Sequence, residues 1–387
     1  MKNIIDFIRH EIVFCVAALC AAVSAFFVPP SRTYIDYIDW NTLFILFALM
    51  GVIGSLRGCG VFDSLARVLC ARVHSCRGVC ALLVLLCFFT SMFITNDVAL
   101  LTFVPFSLLL LGKRAGGKTV LFVVVLETVA ANTGSMLTPL GNPQNLFLFS
   151  KMNVGVLSFM GVILLYSAVS LALLLVSFFF IPLGRNFSPS CAIDEKTGSD
   201  KESAEKKSIL LLRAKKLVFG ALFVLCLLCV LRIVPKWISA FVVFAALIAL
   251  DRKTLFSIDY MLLLTFAAFF VFTGNIASIG SIRSILQNAV AGHEFALSAI
   301  CSQVISNVPA TLLLYPFAKD TGSLLVGVNV GGLGTLVASL ASLISFKIYS
   351  GQREKLGLLS PARYLLVFTA VNVAFLCVLC LLRFVLG

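Results

Sequence analysis

The chain has 387 residues, of which 60% are hydrophobic and only 12% are charged, against about 25% charged in an ordinary soluble domain. This composition excludes a water-soluble domain, and it also excludes a disordered chain, because disorder requires low hydrophobicity and high charge. A helix needs about 20 mostly apolar residues to cross a bilayer core, so the length allows roughly ten crossings. We therefore expect an all-α polytopic membrane protein with the lipid bilayer as its first partner.

The net charge of +13 does not indicate a nucleic-acid partner, because the basic residues lie between apolar runs and carry no interleaved aromatic platform. None of the three histidines lies at ligand spacing from a cysteine pair. The two CxxC strings, Cys226 to Cys229 and Cys377 to Cys380, lie inside apolar runs, where cysteine acts as a small hydrophobe. No hydrolase motif is present either. We therefore expect no nucleic acid, no catalytic or metal site and no bound cofactor, in a protein that is not an enzyme; Na⁺ or H⁺ would only be transported.

The apolar runs, taken in chain order, predict the helices. Polar residues interrupt two of these runs, 79–111 at Thr95-Asn96-Asp97 and 295–318 at Ser306-Asn307-Val308-Pro309. We predict that both are re-entrant hairpins, which enter and leave the bilayer on one face. The remaining runs are 12–28, 41–56, 119–150, 155–183, 217–234, 237–250, 258–277, 322–346 and 364–386.

The lysines and arginines indicate the orientation. With two hairpins, most of these 30 residues fall on one side, which the positive-inside rule assigns to the cytoplasm. Making only the first hairpin a single crossing puts the majority outside. This predicts a multi-pass protein of the cell membrane with a cytoplasmic N-terminus. The chain then divides into a first inverted repeat (1–183), a Ser-, Lys- and Glu-rich cytoplasmic linker (184–216) and a second inverted repeat (217–387).

An internal repeat supports this division, because three motifs of the first half recur in the same order in the second half. Inverted repeats of this kind are typical of secondary transporters. The motifs, each followed by its counterpart, are Ile38-Asp39-Trp40 and Ile258-Asp259-Tyr260, Ile94-Thr95-Asn96 and Ile305-Ser306-Asn307, and Asn132-Thr133-Gly134 to Thr138 and Asn329-Val330-Gly331 to Thr335; Gly141, Asn142 and Asn145 continue the last motif and match Ala338, Ser339 and Ser342.

The interrupted segments are the candidate binding site. Unpaired backbone at bilayer depth is tolerated only where it is buried in protein or lines a cavity, and half-helix N-termini suit an anion. The alternative is that these small polar residues only pack helices. The candidate substrate-binding residues are Thr95, Asn96, Asn132, Thr133, Gly134, Thr138, Gly141, Asn142, Asn145, Ser306, Asn307, Thr311, Asn329, Gly331, Gly332 and Thr335.

Two carboxylates at membrane depth are candidate ion-coupling residues. Asp97 lies at the first hairpin tip, and Glu127 precedes Asn132 on the same helix. A carboxylate at the centre of a membrane helix costs about 2.5 to 3.5 kcal/mol on insertion scales, which favours a functional role. Either residue could carry a proton or bind sodium, and Glu127 could instead lie near the cytoplasmic end of its helix.

These motifs resemble the ion transporter superfamily, which includes arsenite permeases, citrate-type permeases and divalent anion/sodium symporters. The resemblance covers nearly the whole chain. It implies two inverted repeats, a dimer in many members, and an elevator motion in the dicarboxylate branch. It also implies that Asn96 and Asn307 are ligands at the hairpin tips. The dicarboxylate branch has Ser-Asn-Thr there, whereas this chain has Thr95-Asn96-Asp97 and Ser306-Asn307-Val308.

The leading hypothesis is therefore a permease of a small inorganic or organic anion, coupled to H⁺ or Na⁺, with a homodimer as a candidate assembly. A cation/proton antiporter that uses Asp97 and Glu127 is the alternative. A membrane-embedded enzyme or a structural scaffold ranks third, because no motif supports either.

Overall fold

The computed structural model describes residues 11–73, 75–112, 115–181 and 202–386, with side chains from 211 onwards in the last range. Within these ranges the chain forms α-helices and short 3₁₀ turns and no β-strand, which confirms the all-α prediction. The predicted cytoplasmic N-terminus and residues 184–201 of the predicted linker lie outside the described residues.

The first half contains nine of the described helices. Two of its predicted apolar runs, 79–111 and 119–150, each appear as two helices separated by a break. The helices are α1 (Ile12–Phe27), α2 (Thr33–Tyr37), α3 (Trp40–Gly58), α4 (Val61–Cys70), α5 (Cys76–Ile94), α6 (Asn96–Leu111), α7 (Gly117–Ser135), α8 (Pro143–Lys151) and α9 (Val156–Ser177).

The second half repeats this order after one additional helix, α10. The helices are α10 (Glu202–Val230), α11 (Lys236–Leu250), α12 (Arg252–Ser257), α13 (Tyr260–Ser278), α14 (Gly280–Val290), α15 (Glu294–Ile305), α16 (Asn307–Leu314), α17 (Thr321–Val330), α18 (Leu340–Leu356) and α19 (Pro361–Leu386).

Five of the described helical segments are long and apolar enough to cross a bilayer. They are Trp40–Gly58, Cys76–Ile94, Val156–Phe180, Tyr260–Ser278 and Pro361–Leu386. Shorter apolar helices accompany them: α1 precedes the first of the five, and others, including α6 and α11, lie between them in the sequence. This is the pattern of a polytopic membrane protein.

Helix α10 begins at Glu202, so the part of the predicted linker from residue 202 to residue 216 is helical. Residues 202–216 are rich in Ala, Glu, Lys and Leu, which have high intrinsic helix propensity. Their charge suggested a solvated linker, but charge does not prevent them from extending an apolar helix. Residues 202–216 therefore belong to helix α10.

The counterpart helices α3 and α13 begin in the same way. Each has 19 residues and is preceded by an aspartate, Asp39 (φ −79°, ψ 82°) or Asp259 (φ −76°, ψ 81°). The Asp39 carboxylate accepts the backbone N–H of Thr42, and the Asp259 carboxylate accepts that of Leu262. An aspartate in this position satisfies an N–H that has no partner inside the helix. The repeated Ile-Asp motif is therefore a helix N-cap in both halves.

The two breaks in the predicted hairpins also have matching geometry. Thr95 (φ 67°, ψ 147°) separates α5 from α6, and Ser306 (φ 73°, ψ 156°) separates α15 from α16. Positive φ is unusual for a residue other than glycine, and such strained backbone clusters at functional sites. The two helices on either side of each break pack against each other.

Helices of the two halves pack against each other in a reciprocal way. Helix α1 packs on α13 and its counterpart α11 packs on α3, while α6 packs on α18 and its counterpart α16 packs on α8. Within each half, α5 packs on α7 and α15 packs on α17. Helices that follow a break in one half therefore contact helices that follow a break in the other half.

Candidate substrate site

Asn132 connects the first break to the second half of the chain. Its Oδ1 accepts a hydrogen bond from Asn96 Nδ2 at 3.0 Å and another from Ser339 Oγ at 3.0 Å. Its Nδ2 donates to Ser342 Oγ at 3.3 Å. All four side chains are buried. The amide of Asn132 therefore ties the tip of α5 and α6 to the start of α18.

Asn329, the counterpart of Asn132, makes the corresponding contacts with the first half of the chain. Its Nδ2 donates to Asn145 Oδ1 at 2.7 Å, and its Oδ1 accepts from Asn142 Nδ2 at 3.1 Å. The sequence repeat pairs Asn142 with Ser339 and Asn145 with Ser342. Each asparagine thus binds the two positions in the other half that are equivalent to those bound by its counterpart.

The tips contact the second break of their own half. Asn96 donates its backbone N–H to the Gly141 carbonyl at 3.0 Å, and Ser306 Oγ donates to the carbonyl of Ala338, the counterpart of Gly141, at 3.4 Å. Thr138 Oγ1 donates to the Met92 carbonyl, a contact that recurs in the second half. There, Thr335 Oγ1 donates to the Gln303 carbonyl at 2.9 Å.

Glycines allow the helices to approach closely at this site. A Cβ on Gly134 would collide with the Phe88 carbonyl oxygen of α5, and a Cβ on its counterpart Gly331 would lie 2.7 Å from the Ala299 Cα of α15. A Cβ on Gly332 would lie 3.0 Å from Asn307 Nδ2. These glycines have a packing role around the site, as the alternative interpretation of the small residues predicted.

The polar motifs that begin at Asn132 and at Asn329 are still helical at their N-terminal ends. Asn132, Thr133 and Gly134 belong to the last turns of α7, and Asn329 belongs to the last turn of α17. Thr133 Oγ1 donates to the Val129 carbonyl at 2.8 Å within α7. A threonine that bonds back in this way is compatible with helix, so the polar sequence does not unwind it. The chain leaves helical geometry only after Ser135 and Val330.

Sequence reasoning missed Gln303, which forms hydrogen bonds with the loop that follows α17 in the second half. Its Nε2 donates to the carbonyls of Gly331 at 2.6 Å and Leu333 at 2.8 Å, and its Oε1 accepts the Thr335 N–H at 2.8 Å. The sequence signal for this role is an amide side chain inside an apolar run. The comparison of the two halves did not reveal it, because the counterpart of Gln303 is the apolar Met92.

Cavities reach both hairpin tips. One of about 290 Å³ is lined by Thr95, Asp97 and Asn142, and one of about 390 Å³ by Ser306. Asp97 and Asp259 line both of these cavities. The amides of Asn96, Asn132, Asn307 and Asn329 are buried and line neither cavity.

A third cavity of about 580 Å³ shares lining residues with the first, among them Arg57. Asp63 and Lys253 also line the third cavity, and Lys347 lines the cavity at Ser306. In the sequence, Arg57, Lys253 and Lys347 count only among the positive charges that indicate the orientation of the chain in the membrane. Their position in cavities depends on which helices meet, so no local pattern indicated it.

Glu127 lies apart from these cavities. It is fully buried and accepts a hydrogen bond from Ser107 Oγ, and its second oxygen has no partner among the described residues. Thr311 is likewise buried, and its Oγ1 donates to the Asn307 carbonyl at 2.6 Å within α16. The structure therefore separates Asp97, which faces a cavity, from Glu127, which does not line any of the three.

Polar breaks in apolar helices, tied together between two halves and reached by cavities, are typical of membrane transporters. The family model described as citrate transporter, CitMHS, matches residues 4–341. The chain belongs to this family, and it is a transporter. This confirms the resemblance to the citrate-type permeases.

Relatives in bacteria, archaea and plants agree with this assignment. The inner membrane protein YbiR of Escherichia coli is 33% identical over 337 residues, which cover 85% of each chain. The transporter MJ0456 of Methanocaldococcus jannaschii is 31% identical over 81% of this chain and 82% of its own. The silicon efflux transporter LSI3 of rice is 35% identical over 124 residues, which cover 32% of this chain and 25% of its own.

Proposed function

We propose that the protein is a secondary active transporter of a small inorganic or organic anion, coupled to H⁺ or Na⁺, with its substrate site at the bilayer midplane. The observation that carries the proposal is the reciprocal hydrogen bonding of Asn132 to Ser339 and Ser342 and of Asn329 to Asn142 and Asn145. A transporter needs two halves that meet at one site and can exchange roles there.

Reciprocal contacts are a property of a twofold relation, in which residue i meets residue j and j meets i. The orientation that the lysines and arginines favour puts the two hairpins on opposite faces of the membrane, with the N-terminus in the cytoplasm. Together these two arguments support an inverted repeat with a twofold axis in the membrane plane. They also support re-entrant hairpins at Thr95 and Ser306 in a protein of the cell membrane.

The chemistry at the tips supports an anionic substrate. Helices α6 and α16 begin at Asn96 and Asn307, so their positive ends point toward the tips beside the cavities. Backbone N–H groups at a helix start bind an anion without a buried arginine. Asp97 in the same cavity repels a free anion, which supports cotransport with a proton or a sodium ion.

A second function, cation/proton antiport, is favoured by one observation. Asp97 shares both cavities with Asp259, and two carboxylates in one aqueous pocket suit a cation. Glu127, the partner first expected for Asp97, lies in the core instead. Proton-driven movement of ²²Na⁺ with no anion substrate present would support antiport over the anion proposal.

Purified protein in liposomes tests the anion proposal. With citrate, succinate, phosphate and silicic acid as probes, we expect at least one anion to accumulate under an imposed proton or sodium gradient. Asn96→Ala should abolish this uptake, because it removes the hydrogen bond to Asn132 and with it the position of the tip.

The matched control is Asn153→Ala, which removes an exposed amide and should leave uptake unchanged. Movement of neutral silicic acid without any of the anions, or normal uptake by Asn96→Ala, would contradict the proposal.

A further inference from the structure

The contacts at Asp39 and Asp259 differ although their sequences and N-cap geometry match. Asp39 Oδ2 lies 3.1 Å from Lys151 Nζ and accepts a hydrogen bond from Ser150 Oγ at 3.0 Å. The Asp39 side chain is 7% exposed in this pair. These contacts join the start of α3 to the end of α8.

The equivalent position in the second half is open. In the register that pairs Asn145 with Ser342, the counterpart of Ser150 is Lys347 on α18. Lys347 and Asp259 are both exposed, and both line the cavity of about 390 Å³ between α13 and α18. They are not within the 4.0 Å of an ion pair. The ion pair that joins α3 to α8 in the first half therefore has no equivalent between α13 and α18 in the second half.

We propose that Asp39 with Lys151, and Asp259 with Lys347, are two charged latches that close alternately. This inference rests on the proposed transport function. In the structure described here the Asp39 latch is closed and the Asp259 latch is open. Movement of α6, α8, α16 and α18 as one body against α3 and α13 would separate Asp39 from Lys151 and bring Lys347 to Asp259.

The two latches have opposite effects on the same equilibrium. The Asp39 latch stabilises the present state, because its ion pair exists only there. The Asp259 latch stabilises the other state for the same reason. A ligand or contact shifts an equilibrium only by its difference between the two states. Removing one latch should therefore shift the equilibrium in one direction, and removing the other should shift it back.

Asparagine is the informative substitution, because Asn caps a helix as well as Asp does and removes the negative charge. Val98 lines the cavity of about 290 Å³ and serves as a reporter of its opening. In a Val98→Cys protein, a membrane-impermeant maleimide labels position 98 while this cavity is open to the aqueous phase. Mass spectrometry of the peptide that contains position 98 distinguishes this label from labels on the native cysteines.

We expect Asp39→Asn to lower the rate of labelling several-fold, and the double variant Asp39→Asn with Asp259→Asn to return the rate toward that of the parent. Lys347→Met should restore labelling in the Asp39→Asn protein as Asp259→Asn does. The matched controls are Asp36→Asn and Lys355→Met, which remove exposed charges on α2 and α18 and should leave the rate unchanged.

Several outcomes would overturn the latches. One is an Asp39→Asn rate equal to the parent rate, and another is a further fall when Asp259→Asn is added, as general damage to the fold would give. Restoration by Glu11→Gln in place of Asp259→Asn would assign Lys347 to Glu11, which lines the same cavity.

The labelling experiment needs no substrate, so it separates the two proposals. Opposed effects of the two aspartates without gradient-driven uptake of any anion would overturn the proposal of anion transport and leave the latches. Anion uptake with no opposed effects would overturn the latches and leave the proposal of anion transport.

Discussion

At the scale of single residues, the site depends on buried amides that use both their donor and their acceptor. Asn329 donates to Asn145 and accepts from Asn142, so its side chain satisfies two partners that have no access to water. Leaving such a partner without its hydrogen bond costs about 1 to 3 kcal/mol. Residues that look like ligands in the sequence therefore also act as structural connections.

A double-mutant cycle tests the contact between the two halves. We expect Asn329→Ala and Asn145→Ala each to lower the melting temperature in detergent, and to couple by about 1 kcal/mol, because the second change removes a partner that the first has already stranded. Asn329→Ala with Asn275→Ala is the control pair, since Asn275 bonds to Ser24 and Tyr34. Coupling of equal size in both pairs would contradict the assigned contact.

The residues at the breaks were predictable, and the distant partners were less so. Thr95 and Ser306 follow from a polar motif inside an apolar run, which has few explanations at bilayer depth. Gln303 and Arg57 bind or line parts of the site that are remote in sequence, and nothing local marks such contacts. The burial of Glu127 against Ser107 is likewise a consequence of which helices meet.

At the scale of the elements, glycine determines how closely α7 can lie on α5. We expect Gly134→Ala to reduce the yield of folded protein and its melting temperature, because the added methyl group meets the Phe88 carbonyl and overpacking costs about 1 to 3 kcal/mol or more. Gly155→Ala is the control, since no atom lies within 4 Å of its added carbon. Equal yields and melting temperatures for the two variants would exclude this close approach.

The additional helix α10 is tied to the second half by a charge pair. Lys215 Nζ lies 2.7 Å from Asp251 Oδ2. Burial raises the pKa of Asp251, but hydrogen bonds from Lys215 and Thr254 outweigh it and hold the pKa below its ordinary value. A lowered carboxyl pKa contributes stability above the pKa of the unfolded chain, about 3.9, and this stability is lost as the pH falls through the folded-state pKa.

The pair therefore predicts a pH dependence. Asp251→Asn should lower the stability at pH 7 by on the order of 1 kcal/mol, and the difference from the parent should shrink below about pH 4, where the parent carboxylate takes up a proton. Melting temperatures measured across this range provide the check, with Asp36→Asn as an exposed control. A difference that stayed constant down to pH 3 would exclude the ion pair as its cause.

At the scale of the whole molecule, the order of motifs in the sequence predicts which positions of the two halves correspond. The hydrogen bonds of Asn132 and Asn329 join such positions across the two halves, while the inverted orientation of the halves stays a prediction. The extents of the breaks were not predictable, because a threonine or asparagine on the last turn of a helix has the same sequence signature as one beyond it. Cavities and latches depend on the distances between helices, which sequence patterns do not contain.

The unmatched helix α10, with 29 residues, affects the number of bilayer crossings that precede the second half. In the proposed topology the first half crosses the bilayer an even number of times, at α1, α3, the broken pair α7 and α8, and α9. A second copy joined directly to it would start from the same side and would run parallel to the first. One additional crossing reverses the starting side, so in the proposed topology α10 would be the connection that makes the second copy inverted relative to the first.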